Sequence, residues 1–364
     1  MDRDPAAFFS ATYAEARARF VAAAEARGLA VETHTHPSRR GAQGEALTID
    51  VAVLGRPDAR NALLLTSGTH GAEGFCGSGC QVGFLGDGAF AATVAGTDTR
   101  VVFVHALNPY GFSHLRRTNE DNIDLNRNFR DFRQPLPPNA AYAEVHGFIV
   151  PPTWPPGFAN EARLAGYVLL HGERALQQAV TAGQCEFRDG LFYGGVAPAW
   201  SNVVLRDVLR RLAAPARRLA WIDFHTGLGP WAHGEKIYNG RDVPADIART
   251  RAWWGDDVTS FHDASSTSAV LTGVNNEAAY DECPAAAYAG IALEYGTLPM
   301  MDVLKALRAD QWLDNHPDAP PGTRDAIKAL VRAAFHDDGP AWQRKVYAQA
   351  QAAVQAALAG LEAL

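Results

Sequence analysis

The chain has 364 residues, 47% hydrophobic and 20% charged, a balance that excludes a mainly disordered protein and provides apolar side chains for a full core. Its 33 Lys+Arg against 40 Asp+Glu give a net charge of -7 with no basic block, which argues against nucleic acid as the main partner. The apolar runs fall far short of the ~20 residues that cross a bilayer, the N-terminal segment lacks the apolar core of a secretory signal, and the four cysteines include no CxxC pair, so a cytoplasmic protein with reduced, buried thiols is expected.

In residues 5–27, Phe8, Phe9, Tyr13, Ala16 and Phe20 recur at three- and four-residue steps, which predicts an amphipathic helix ending at Gly28. Three strands are expected next, over 29–34, 47–54 and 62–66. The second alternates as a half-buried strand does, and the third is continuously apolar, as suits a central strand covered on both faces. A Gly-rich loop (68–74) and a helix (77–85) lead to another buried strand at 100–105 and a turn cluster at Asn108-Pro109-Tyr110-Gly111. Residues 116–133 are polar and irregular, and 135–156 read as a Pro- and aromatic-rich excursion. Helices are expected over 161–182 and 202–213, short apolar strands at 219–224 and 291–295, and helices at 299–312, 323–335 and 342–361.

Strands alternating with helices predict an α/β fold: a mixed, largely parallel central sheet flanked by helices on both faces. No repeat, low-complexity tract or linker divides the chain. A single domain over 1–364 is expected, with a loop insertion around 131–200 and C-terminal helices over 299–364.

In such a sheet, ligands bind beyond the carboxyl ends of the strands. After Leu63-Leu64-Leu65 comes Thr66-Ser67-Gly68-Thr69-His70-Gly71-Ala72-Glu73-Gly74; after Trp221-Ile222 comes Asp223-Phe224-His225-Thr226-Gly227; and Ile291-Ala292-Leu293 leads into Glu294-Tyr295-Gly296-Thr297. His70 and Glu73 form an HxxE pair able to grip one ion, and a catalytic zinc needs a third protein ligand and an open position for water. A single HxxE arises readily by chance, and a histidine closing an apolar strand is often only a satisfied core residue. The repetition at three strand ends carries the metal reading, with His225 as third ligand.

Together with Asn122-Ile123-Asp124-Leu125-Asn126-Arg127-Asn128-Phe129, this order of elements resembles the zinc carboxypeptidase superfamily, which includes the succinylglutamate desuccinylase and aspartoacylase branch. The strings THGAEG, NPYGF, RRTNEDNIDLNRNF, DFHTGLG and EYGT look most like an uncharacterised bacterial branch of it, over about residues 66–297. The resemblance implies one Zn2+ per chain on His70, Glu73 and His225, with Asp124 orienting His70. It implies that Asn126 and Arg127 hold a substrate carboxylate, a task suited to the planar guanidinium fork, and that Glu294 is the general base taking a proton from a water activated by zinc. Family members place an arginine before the DLNR element to polarise the carbonyl; Arg117 is matched to that role and Arg116 to the substrate side, while Asn119 stands eight residues before Arg127. The family's phenol near the scissile bond is matched to Tyr280, with Tyr193 and Tyr238 competing.

The activity implied is hydrolysis of an amide bond beside a free carboxylate, either on a small peptide, as a metallocarboxypeptidase, or on an N-acyl amino acid, as an aspartoacylase-type deacylase. A catalytically silent zinc- and carboxylate-binding protein is the alternative of another class, against which Glu294 argues. Cys76-Gly77-Ser78-Gly79-Cys80 fits one face of a helix and reads as packing. His105 reads as core or as support for the site. His34, His36, His316 and His336 are expected to be solvated, and Trp154, Trp200, Trp231, Trp253 and Trp254 are candidates for a pocket lining.

Overall fold

The continuous apolar run becomes strand β3 (Asn61–Thr66), buried at every residue in the computed structural model, which describes residues 4–363. Around it stand β1 (Val31–Arg40), β2 (Ala46–Leu54), β4 (Thr99–His105), β5 (Arg218–Trp231), β6 (Gly234–Tyr238), β7 (Thr259–Ser260) and β8 (Ala287–Gly296), in the order β1-β2-β4-β3-β5-β8-β6-β7. The four central strands, β4, β3, β5 and β8, run parallel, and β1, β2 and β6 pair antiparallel to their inner neighbours. This is the mixed, largely parallel sheet of an α/β fold. No helix among the described residues is long and apolar enough to cross a membrane.

Because side chains alternate along a strand, the register divides the sheet's two faces. Ile222 and Phe224 point with Leu63 and Leu65 toward the helix Gly74–Gly86, which packs on the helices Tyr13–Ala26 and Pro340–Glu362. Thr66, Asp223, His225, Ala292 and Glu294 point to the opposite face. Cys76 and Cys80 are buried on the helix Gly74–Gly86, as packing residues.

Several boundaries depart from the sequence reading, each for a local reason. The N-terminal helix is interrupted: a short 3-10 turn, Pro5–Phe8, is followed by extended residues, and the helix restarts at Tyr13–Ala26 under the Thr12 cap, whose hydroxyl accepts the Glu15 N–H at 3.2 Å. It stops before Gly28, which takes φ +70°. The helix expected over 161–182 is two, Phe158–His171 and Glu173–Thr181, broken where Gly172 adopts φ +85°. The excursion contains a helix, Ala140–Ile149, and Pro244–Trp254 is helical as well. Strands β6 and β7 carry no run of apolar residues and were not anticipated. His36 and His336 are buried rather than solvated: His36 lies 3.0 Å from Glu120 Oε1, and His336 packs edge-on against Trp342.

Candidate metal and carboxylate site

Three strand ends converge because β3, β5 and β8 are parallel neighbours. His225 on β5 and Glu294 on β8 are direct register partners, so both side chains stand on one face at the carboxyl edge. His70 and Glu73 arrive from the loop after β3. That loop is fixed by close backbone contact: a Cβ on Gly71 would lie 2.0 Å from the Gly111 carbonyl carbon, in the turn that Asn108 closes by accepting the Gly111 N–H at 2.9 Å.

His70, Glu73 and His225 are all buried, with candidate ligand atoms within 4.8 Å of one another. Glu73 lies 2.9 Å from His70 Nδ1 through Oε1 and 3.0 Å from His225 Nδ1 through Oε2, and the two Nδ1 atoms are 3.2 Å apart. His225 Nε2 faces Asp223 Oδ2 at 2.7 Å. With its Nε2–H donated there, a neutral His225 ring turns a lone pair toward a carboxylate oxygen and a second imidazole nitrogen. A cation between them would satisfy these groups together, as a proton on the rings also can, and two imidazole nitrogens with one carboxylate oxygen form the donor set of a catalytic zinc site. The residues therefore fit a metal. Burial works against the charged forms here, but Asp223 and Glu73 push the His225 pKa well up, and the imidazoles hold the Glu73 carboxyl below the usual range.

Asp124 accepts the Asn126 N–H at 2.9 Å and stands 3.1 Å from His70 Nε2. Arg117 lies on the same group: Nη1 donates to Glu73 Oε1 and Nε to Asp124 Oδ2, both at 3.0 Å, and Nη2 sits 2.8 Å from His70 Nε2. Glu294 is half-buried, its Oε1 accepting the Leu228 N–H at 3.0 Å; burial, with Glu73's charge adding to it, pushes its pKa up to about 8.

His70, Glu73, Arg117, His225 and Glu294 border one cavity of ≈ 110 Å³. Its polar end carries His70, Glu73, Arg117, Asn126, Arg127, His225 and Glu294, and the rest is mostly apolar, with Val180, Ile237, Ala292, Val303, Leu307 and Phe335 among its walls. Arg127 is 2% exposed and pairs with no carboxylate among the described residues; Nε and Nη2 donate to the Thr181 carbonyl at 2.9 and 2.6 Å, and Nη1 to the Asn126 carbonyl at 2.6 Å. Of a guanidinium's five N–H groups those three are used, which leaves two. Burial pulls its pKa down to about 10. Asn126 also borders the cavity, its Oδ1 accepting the Asn275 N–H at 2.9 Å.

Two expected substrate residues stand elsewhere. Arg116, adjacent to Arg117 but turned away from the cavity, is held by Asp310 at 3.1 Å, by Asp314, and by Asn122 Oδ1 at 3.0 Å; it ties chain segments together. Tyr280 packs against Tyr288 and under Arg241, with its hydroxyl 2.9 Å from Tyr238, and neither it, Tyr193 nor Tyr238 borders the cavity. None of the five tryptophans proposed for the lining reaches it either. His105 belongs to the core, stacked on Phe20 at 4.5 Å and bonded to Ser78 at 2.9 Å.

The sequence reading passed over Asp223. Its Oδ2 holds His225, while Thr66 at 2.5 Å, Thr69 at 2.9 Å and Asn275 at 2.6 Å all donate to its carboxylate. The signal was present: an Asp two residues before a His on a strand shares its face. Asn275 and Phe192 were missed as well, and nothing in their local sequence marks them.

No curated protein matches the sequence. In fold, the chain is similar to carboxypeptidase A from Helicoverpa armigera, 13% identical with a TM-score of 0.46 over 89% of this chain and 74% of that one. It is similar to a metallo-carboxypeptidase from Burkholderia cenocepacia, 12% identical with a TM-score of 0.44 over 90% and 69%. A succinylglutamate desuccinylase from Silicibacter sp. TM1040 is 14% identical, with a TM-score of 0.35 over 84% and 66%. A family model matches residues 9–349, and the chain belongs to that family, described as protein of unknown function (DUF2817).

Proposed function

We propose that the chain is a zinc-dependent hydrolase that cleaves an amide bond beside a free carboxylate. One observation carries this reading: a metal-type donor set, a carboxylate suited to proton transfer, and a buried arginine without an anionic partner border the same small cavity. A buried, unpaired guanidinium is costly. A substrate carboxylate would meet its two unused N–H groups, with Asn126 beside it.

When bound at His70, Glu73 and His225, zinc supplies Lewis-acid polarisation of a carbonyl and lowers the pKa of water. Glu294 takes the proton of the attacking water and passes it to the nitrogen as the C–N bond breaks; its burial raises the carboxyl pKa from the usual carboxylate range toward neutrality, the direction that both tasks favour. Arg117, bonded to Glu73 and Asp124, steadies the ligands and keeps a positive charge beside the reacting carbonyl. The apolar walls suit a substrate whose side chain or acyl group is apolar. The narrow cavity favours a small substrate, a short peptide or an N-acyl amino acid.

Metal analysis of purified wild type should find about one zinc per chain, lost in His225→Ala. Glu294→Gln should keep the zinc and lower kcat by about 10²–10⁴-fold. Against a panel of dipeptides, N-acyl amino acids and their carboxyl-blocked counterparts, only free carboxylates should be turned over; cleavage confined to blocked substrates would overturn the carboxylate anchor.

A further inference from the structure

We infer that Phe192 is a positioning residue that sets the two cavity arginines, Arg117 and Arg127, in their working geometry. The inference rests on the carboxylate-anchoring role proposed for Arg127. Phe192 is 4% exposed and borders the cavity, and both guanidiniums lie over its ring: the Arg117 carbon is 4.7 Å from the ring centroid and that of Arg127 5.5 Å. The π face is electron-rich, so one ring holds two like charges that would otherwise push each other apart. The two arginines differ in what else holds them. Arg117 is paired with two carboxylates, whereas Arg127 has carbonyls alone, and the ring therefore matters most for Arg127.

The backbone supports the same conclusion. Phe192 sits at φ +51°, a conformation that bulky residues rarely adopt. Such an outlier persists only where its surroundings fix it and often marks a site. Here the fixing is visible: Leu191 N–H donates to the Tyr142 hydroxyl at 2.6 Å, the Phe192 carbonyl accepts from Gln184 N–H at 3.1 Å, and the Tyr193 carbonyl accepts from Asp124 N–H at 2.7 Å. The last bond joins the turn that presents the ring to the carboxylate that orients His70. Ring and ligand shell are thus set by one piece of backbone.

The test compares zinc-loaded wild type with Phe192→Tyr, which keeps the π face, and with Phe192→Leu and Phe192→Met, which keep an apolar side chain without it. Calorimetry with N-acetyl-leucine as the probe, with each ring variant carried on Glu294→Gln so that the probe is bound without turnover, should give a Kd about tenfold weaker in the Leu and Met variants than in the Glu294→Gln parent and near the parent in Tyr. On a cleaved substrate the loss should fall on KM, with kcat within about twofold and zinc content unchanged. A second measurement reads the wild type with no change to the ring: the Arg127 Nε–H proton resonance, assigned by its loss in Arg127→Lys, should be displaced by the ring current. An undisplaced resonance, or Leu and Met variants that bind the probe as the Glu294→Gln parent does, would overturn the assignment. If no amide substrate is ever found but the resonance is displaced and the Leu and Met variants lose the probe, the positioning role stands and the hydrolase reading falls.

Discussion

At the scale of single residues, the candidate site depends on groups that lie behind the cavity's lining. Asp223 accepts four side-chain contacts and fixes the ring of His225 through Nε2, leaving Nδ1 free for a metal. Asp223→Asn keeps the shape and removes the charge; zinc affinity measured by competition with a chelator should fall about 10–100-fold. His105 gives a pH prediction of the opposite kind. Burial holds its pKa down at about 4, below the ordinary 6.5, so the unfolded chain binds a proton that the folded one refuses. Its contribution is complete above about pH 6.5 and is lost as pH falls toward 4, amounting to roughly 3 kcal/mol. Denaturant unfolding from pH 7.5 to 4.5 should lose stability less steeply in His105→Gln than in wild type. The two neighbouring arginines show where reading the sequence stops. Arg116 and Arg117 are equivalent as letters, and only the course of the chain sends one to Asp310 and the other to Glu73.

At the scale of elements, legibility followed burial. Strand β3 and the central part of β5 were evident because a parallel strand covered on both faces must be apolar throughout, and the polar residues that end such a run stand at the sheet's carboxyl edge. His70, Glu73, His225 and Glu294 were found that way, and the structure brings all four to one cavity. Strands β6 and β7 were hidden because the first mixes Glu235 and Lys236 with apolar residues and the second has two residues, so neither presents a pattern. The loop carrying His70 also depends on a glycine whose reason cannot be seen locally. Gly71→Ala would drive a methyl into Gly111 and should cost about 1–3 kcal/mol of stability together with bound zinc. Gly166, inside the helix Phe158–His171 with nothing within 4 Å of an added Cβ, is the control: Gly166→Ala should stabilise by about 0.5–1 kcal/mol and leave zinc untouched. Urea titration and metal analysis of the two variants check both statements.

At the scale of the whole molecule, buried charges join distant parts of the chain. Arg116 links the segment before the Asn126–Arg127 pair to Asp310 and Asp314 on the helix Met300–Asn315, and Lys328 on the helix Pro321–Phe335 donates to Asp310 at 2.7 Å. Arg116→Ala would leave Asp310 to Lys328 alone and the partly exposed Asp314 without its partner; unfolding should show a loss of about 1–3 kcal/mol, whereas KM of the folded variant should stay at the wild-type value. A rise in KM with stability intact would restore Arg116 to the substrate side.

The pairing of His225 with Glu294 has a further consequence. A slip of one residue between β5 and β8 would turn one of the two side chains to the wrong face of the sheet. The candidate site is therefore a product of correct strand register between segments far apart in sequence, and long-range parallel pairing of this kind is slow to form. Partly folded chains carry His70, Glu73 and His225 without bringing them together, so tight zinc uptake should appear only with the native fold.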